Sequence, residues 1–149
     1  MRFASIASSS SGNCLYVGDD NTHILIDAGV SYKSINEGLK QLDLQLSDID
    51  AILITHEHTD HIKGLGVLER KCEIPIYASQ GTIEGILAST SLGDFNKDCI
   101  KSLRDLSSFD IKSLNITPHE ISHDANEPVC YSIKSGDKTV AAVTDLGVY

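Results

Sequence analysis

The stretch Thr55-His56-Glu57-His58-Thr59-Asp60-His61 puts four metal-binding groups, three imidazoles and a carboxylate, within six consecutive residues. The chain has six histidines in 149 residues, so three in one short stretch are hard to ascribe to a polar loop. Imidazole nitrogen and carboxylate oxygen together suit zinc, and also manganese or iron. His56 and His58, one residue apart, can share one ion, while the adjacent Asp60 and His61 turn towards a second. The apolar run Ala51-Ile52-Leu53-Ile54 just upstream reads as a buried strand, and a strand end is a rigid base for such a site.

The elements that must hold this cluster follow a mixed strand and helix pattern. Residues 3–7, 14–17 and 23–26 read as strands, the last two joined by the turn Gly18-Asp19-Asp20-Asn21. Ser31 can cap a helix in which Tyr32, Ile35, Leu39 and Leu42 recur at helical spacing. Beyond the cluster, residues 64–70 and 82–88 predict helices, and residues 74–78, 100–106, 109–116, 129–133 and 139–143 predict strands. With no repeat, linker or internal boundary, residues 1–149 read as one unit. Its expected fold class is α/β (α+β), a mixed sheet with helices on one face. About eight strands and three helices would leave the other face uncovered.

Hydrophobic content of 41% excludes a disordered chain. The N-terminal residues lack the apolar core of a secretory signal, and no apolar stretch approaches bilayer length, which predicts a cytoplasmic protein with no membrane association. Cys14, Cys72, Cys99 and Cys130 form no Cys-x-x-Cys pair and read as free packing thiols. A net charge of −9 weighs against broad binding to nucleic acid, although two divalent ions would offset about four of those charges.

The segment His56-x-His58-x-Asp60-His61 after an apolar strand resembles the signature of the metallo-β-lactamase superfamily. Asp27-Ala28-Gly29 resembles the first motif of that family, His123-Asp124 the third, and Thr144-Asp145 the fourth, in the right order. A narrower resemblance is to the bacterial YycJ (WalJ) type, metal-dependent exonucleases acting on DNA. It rests on Ser8-Ser9-Ser10-Ser11-Gly12-Asn13, Asp27-Ala28-Gly29-Val30-Ser31, the extended histidine segment, Ser122-His123-Asp124-Ala125 with Pro128-Val129-Cys130-Tyr131, and Thr144-Asp145-Leu146-Gly147. Cys130 departs from the glycine usual before that tyrosine. The family fold is a four-layer αββα sandwich of two similar halves, and the chain matches the N-terminal half, with the second half and its fifth-motif histidine absent.

The resemblance implies two divalent ions, with zinc the first expectation. His56, His58 and His123 would hold one, Asp60 and His61 the other, and Asp145 would bridge them. A hydroxide between the ions would attack the phosphodiester, since metal binding lowers the pKa of water from about 15.7 to roughly 7, and Asp60 would orient it. Asp27 and Thr55 would orient the ligands through hydrogen bonds without ligating. Ser10, Ser11 and Lys63 could meet a phosphate. His119 reads as structural or near-site, His23 as a surface or packing residue, and Lys97, Lys101 and Arg104 as a modest basic cluster. The expected activity is that of a metal-dependent phosphodiesterase, a DNA exonuclease in the intact family member. A hydrolase of a small ester, lactone or thioester is the first alternative. The second is an inactive half-domain that pairs with its own copy through the uncovered sheet face.

Overall fold

The computed structural model describes residues 1–9, 11–121, 125–144, 147 and 148, of which residues 140–144, 147 and 148 are described by backbone alone. Two sheets are built. The first takes β1 (Arg2–Ser9), β2 (Gly12–Gly18), β3 (His23–Ile26), β4 (Ala51–Leu53), β5 (Ile76–Ala78) and β6 (Ile100–Ser102), in that spatial order. Its first three strands are antiparallel and β3 to β6 run parallel. Parallel neighbours need crossovers, supplied by α1 (Tyr32–Lys40), by α2 (Thr59–Ile62) with α3 (Leu65–Cys72), and by α4 (Gln80–Ala88). Ser31 caps α1 by accepting the Ser34 N–H, and Ser79 caps α4 in the same way from Thr82.

The second sheet, β7 (Phe109–Ile111), β8 (Leu114–Glu120), β9 (Val129–Ser135), β10 (Lys138–Thr144) and β11 (Gly147–Val148), is antiparallel throughout. The mixed sheet with helices on one face is as expected, but its other face is not uncovered. Along β2 and β3 successive apolar residues serve two cores. Cys14, Tyr16 and Leu25 face Ile35 and Leu39 of α1, Leu65 and Leu68 of α3, and Ile83 and Ile86 of α4. Leu15, Val17, Ile24 and Ile26 face Ile116, Tyr131 and Ile133 of the second sheet. Buried on both faces, such strands are apolar at every position, which explains why these runs do not alternate.

The outward face of the second sheet carries Asn115, Thr117, His119, Ser132 and Lys134, all exposed or half-buried. His119 is bonded there to Ser132 Oγ at 2.9 Å. An open apolar sheet face, the basis for expecting self-association, is therefore lacking among the described residues. At the end of β3 away from Asp27, the Asp19 carboxylate accepts hydroxyl bonds from Ser113 and Ser135 and so pins the two sheets. Partial burial pushes its pKa up, but those hydroxyls and the Asn21 and Thr22 amides outweigh it and hold the group below the usual carboxylate range.

Candidate metal centre

The parallel strands β3 and β4 end side by side, the position where open α/β sheets place their sites. β3 runs into Asp27-Ala28-Gly29 and β4 into Ile54-Thr55-His56. Asp27 has φ 66°, in the left-handed region that Asp and Asn tolerate better than most residues. Its N–H donates to Leu53 O at 2.7 Å, and the next amide, of Ala28, donates to His61 O at 2.8 Å. Gly29 N–H donates to Asn13 O at 2.8 Å, and a Cβ on Gly29 would stand 1.8 Å from the Asp60 carbonyl oxygen. Glycine is therefore required for the β3 end to pass against the histidine loop.

The buried Asp27 carboxylate organises the cluster. Oδ1 accepts the Thr55 N–H at 2.8 Å, and Oδ2 accepts both the Thr55 hydroxyl at 2.8 Å and His61 Nδ1 at 2.6 Å. With its one proton directed at Asp27, the Thr55 hydroxyl accepts from His56 Nδ1, 3.0 Å away. The Nδ1 atoms of both buried histidines are thus committed as donors. In the neutral form of each ring this leaves Nε2 as the electron-pair donor. The ring of His56 lies 4.6 Å from that of His58 and 4.0 Å from that of His61, and Asp60 Oδ2 is 3.5 Å from His61 Nε2. Two imidazoles oriented in this way, with a third beside them and a carboxylate, are donor types that suit a borderline divalent cation. Among the described residues no three His, Cys, Asp or Glu side chains are already gathered as a group able to hold a metal ion. His123 and Asp145, two of the expected ligands, lie outside the described residues, as does Ser10.

Of the other expected residues, Lys63 Nζ donates to the Ser11 carbonyl, which joins these two. His23 is bonded to the Tyr16 hydroxyl at 2.6 Å, within the β2–β3 hairpin. Lys97 lies over the Phe95 ring. All four cysteines are free thiols, and burial raises the Cys14 pKa, with the Asp27 charge adding to it. Two residues at the site escape a reading by residue type. Asn13 Nδ2 reaches Asp60 Oδ2 at 3.3 Å and His61 Nε2 at 3.4 Å. The Tyr131 hydroxyl donates to Ile54 O at 2.6 Å, tying the second sheet to the β4 end. Burial, above all, holds the Tyr131 pKa well above its ordinary value, so it stays a donor. The only signal for Asn13 was its place after the Ser-rich run.

Residues 9–149 match the family model of the metallo-beta-lactamase superfamily. The chain belongs to the metallo-β-lactamase superfamily. Within the superfamily it is 39% identical over 147 residues to exodeoxyribonuclease YycJ of Bacillus anthracis, covering 99% of this chain and 55% of that protein. To exodeoxyribonuclease WalJ of Streptococcus pneumoniae it is 37% identical over 148 residues, covering 98% and 54%. The chain thus spans about half the length of these relatives. A solved superfamily structure, Rm3 metallo-beta-lactamase, superposes with a TM-score of 0.74 at 22% identity over 93% of this chain and 56% of that one. That likeness bears on the superfamily fold alone.

Proposed function

We propose that the chain carries the ligand-bearing part of a dinuclear metal-dependent phosphodiesterase, a DNA exonuclease in the whole protein. The observation that carries this reading is the Asp27 carboxylate, bonded at once to His61 Nδ1 and to the Thr55 hydroxyl that receives His56 Nδ1. A buried carboxylate spent on fixing two imidazole tautomers has little use in a purely structural loop. His56, His58 and His123 would hold one ion, Asp60 and His61 the second, with Asp145 between them and zinc the first choice of metal. Bound divalent ions would supply Lewis acidity at the phosphoryl oxygens and an acidic water near neutral pH.

The chain's own groups would do the rest. Asp60 would accept a hydrogen bond from the attacking water, and the Asn13 amide beside its Oδ2 would hold that carboxylate in place. Lys63 and Ser11, joined to each other and with Ser10 next in sequence, would meet the substrate phosphate. The relatives named as exodeoxyribonucleases support DNA as substrate. The net charge of −9 favours the second reading, a small ester, lactone or thioester, since an acidic surface repels the DNA backbone. Metal-loaded protein given 5′-labelled duplex DNA or a simple lactone or thioester separates the two. Release of nucleotides is expected, abolished by Asp60→Ala, whereas lactone or thioester turnover alone would overturn the nuclease assignment.

A further inference from the structure

We infer that Glu57 is a positioning residue, which latches the loop of residues 125–128 to the turn that bears His56 and His58 and so holds those two imidazoles for the metal. The inference rests on the metal reading above. Glu57 stands between the two histidines of the cluster, and alternation in extended backbone turns it away from their side. It lies across α4. A Cβ at Gly85 would stand 2.3 Å from Glu57 Cγ and 2.6 Å from its Cβ, so only glycine there lets the side chain through. The carboxylate then accepts the Asn126 N–H, at 3.0 Å to Oε2 and 3.4 Å to Oε1.

Glu127 repeats the arrangement one turn earlier on the helix. A Cβ at Gly81 would meet Glu127 Cβ at 2.6 Å. Glu127 Oε1 accepts the Gly81 N–H at 2.8 Å, its backbone carbonyl accepts the Ser79 hydroxyl at 2.6 Å, and Asn126 Nδ2 donates to Gly81 O at 3.1 Å. Gly81 and Gly85, four residues apart, share one face of α4. A helical glycine costs about 1 kcal/mol relative to alanine, and here each glycine admits a glutamate that engages the same loop. The neck of the loop is closed by Ile121 N–H on Pro128 O at 3.2 Å, and Val129 N–H on Thr55 O at 2.9 Å ties it to the histidine strand. The tether at Asn126 and the bond from Val129 to Thr55 therefore grip the histidine turn from both sides.

Two readouts test this: exchange of the Asn126 amide by NMR in metal-free protein, and metal affinity by calorimetric titration. Glu57→Ala should speed Asn126 exchange and weaken metal binding by about tenfold or more, the scale typical of residues that orient metal ligands. Glu57→Gln keeps an acceptor oxygen and should leave both readouts close to wild type. Gly85→Ala, which favours the helix but displaces Glu57, should behave like Glu57→Ala with helix content retained by circular dichroism. Unchanged Asn126 exchange in Glu57→Ala, unchanged metal affinity despite lost protection, or a Gln variant as damaging as Ala would overturn the latch. A wild-type protein that takes up no metal would instead overturn the metal reading, and Asn126 exchange would still decide the latch.

Discussion

Asp27 is the residue on which the candidate metal centre turns, because one carboxylate serves Thr55 and His61 directly and His56 through Thr55. Asp27→Asn keeps the left-handed backbone, which Asn also tolerates, and can still accept the Thr55 N–H. Its amide nitrogen, however, would oppose His61 Nδ1 as a second donor and drive the proton of that ring to Nε2. The variant should lose 10- to 100-fold in metal affinity while unfolding only about 1–3 kcal/mol more easily, as read by metal titration and denaturant melts. Glu69 is a different case, a buried carboxyl on α3 that accepts the Ile74 N–H at 3.0 Å. Burial, opposed by that bond, raises its pKa from 4.5 to about 7. A raised acid favours the folded state below the unfolded pKa, and that stability is lost as pH climbs from 4.5 to about 7. Glu69→Gln should erase this fall and gain roughly 1–3 kcal/mol over wild type above pH 7, measured by urea unfolding at pH 5 and pH 8.

At the scale of elements, the site depends on backbones that approach too closely for a side chain. Gly29→Ala would drive a Cβ against the Asp60 carbonyl, which belongs to the short α2 and cannot swing away. The expected cost is about 3 kcal/mol together with weaker metal binding, checked by unfolding and titration of the same variant. Strands β2, β3 and β4 were legible in the sequence because they are uniformly apolar. That same uniformity hid their division of labour, since a strand buried on both faces gives no alternation to assign its sides. The run 109–116 read as one strand but breaks at Lys112, whose φ of 49° makes a tight turn between β7 and β8 with no glycine or asparagine to announce it. The run 100–106 likewise ends at Ser102, and positive φ at Asp105 and Leu106 turns the chain into the second sheet. α2, only four residues long, overlaps the end of the histidine run and is too short for periodicity to show. The histidine cluster was legible because its members are neighbours in sequence. The contacts of Asn13 with Asp60 and of Glu57 with Asn126 join residues 47 and 69 positions apart, and spacing carries no trace of them.

For the whole molecule, the layers explain why the candidate centre sits where it does. Helices cover one face of the mixed sheet and the antiparallel sheet covers the other, so the ends of β3 and β4 open at the rim of the sandwich. Tyr131 reaches across from the second sheet to Ile54 at that rim, and its loss as Tyr131→Phe should cost about 1 kcal/mol and loosen the site by amide exchange at Thr55. No helix among the described residues is long and apolar enough to cross a membrane. The measurement that bears most directly on the metal centre is elemental analysis of the protein purified without added metal, with His58→Ala beside it. Close to two equivalents of divalent metal per chain, lost in His58→Ala, are expected. A wild-type chain that carries no metal and acquires none on titration would contradict the assignment of His56, His58, Asp60 and His61 as ligands.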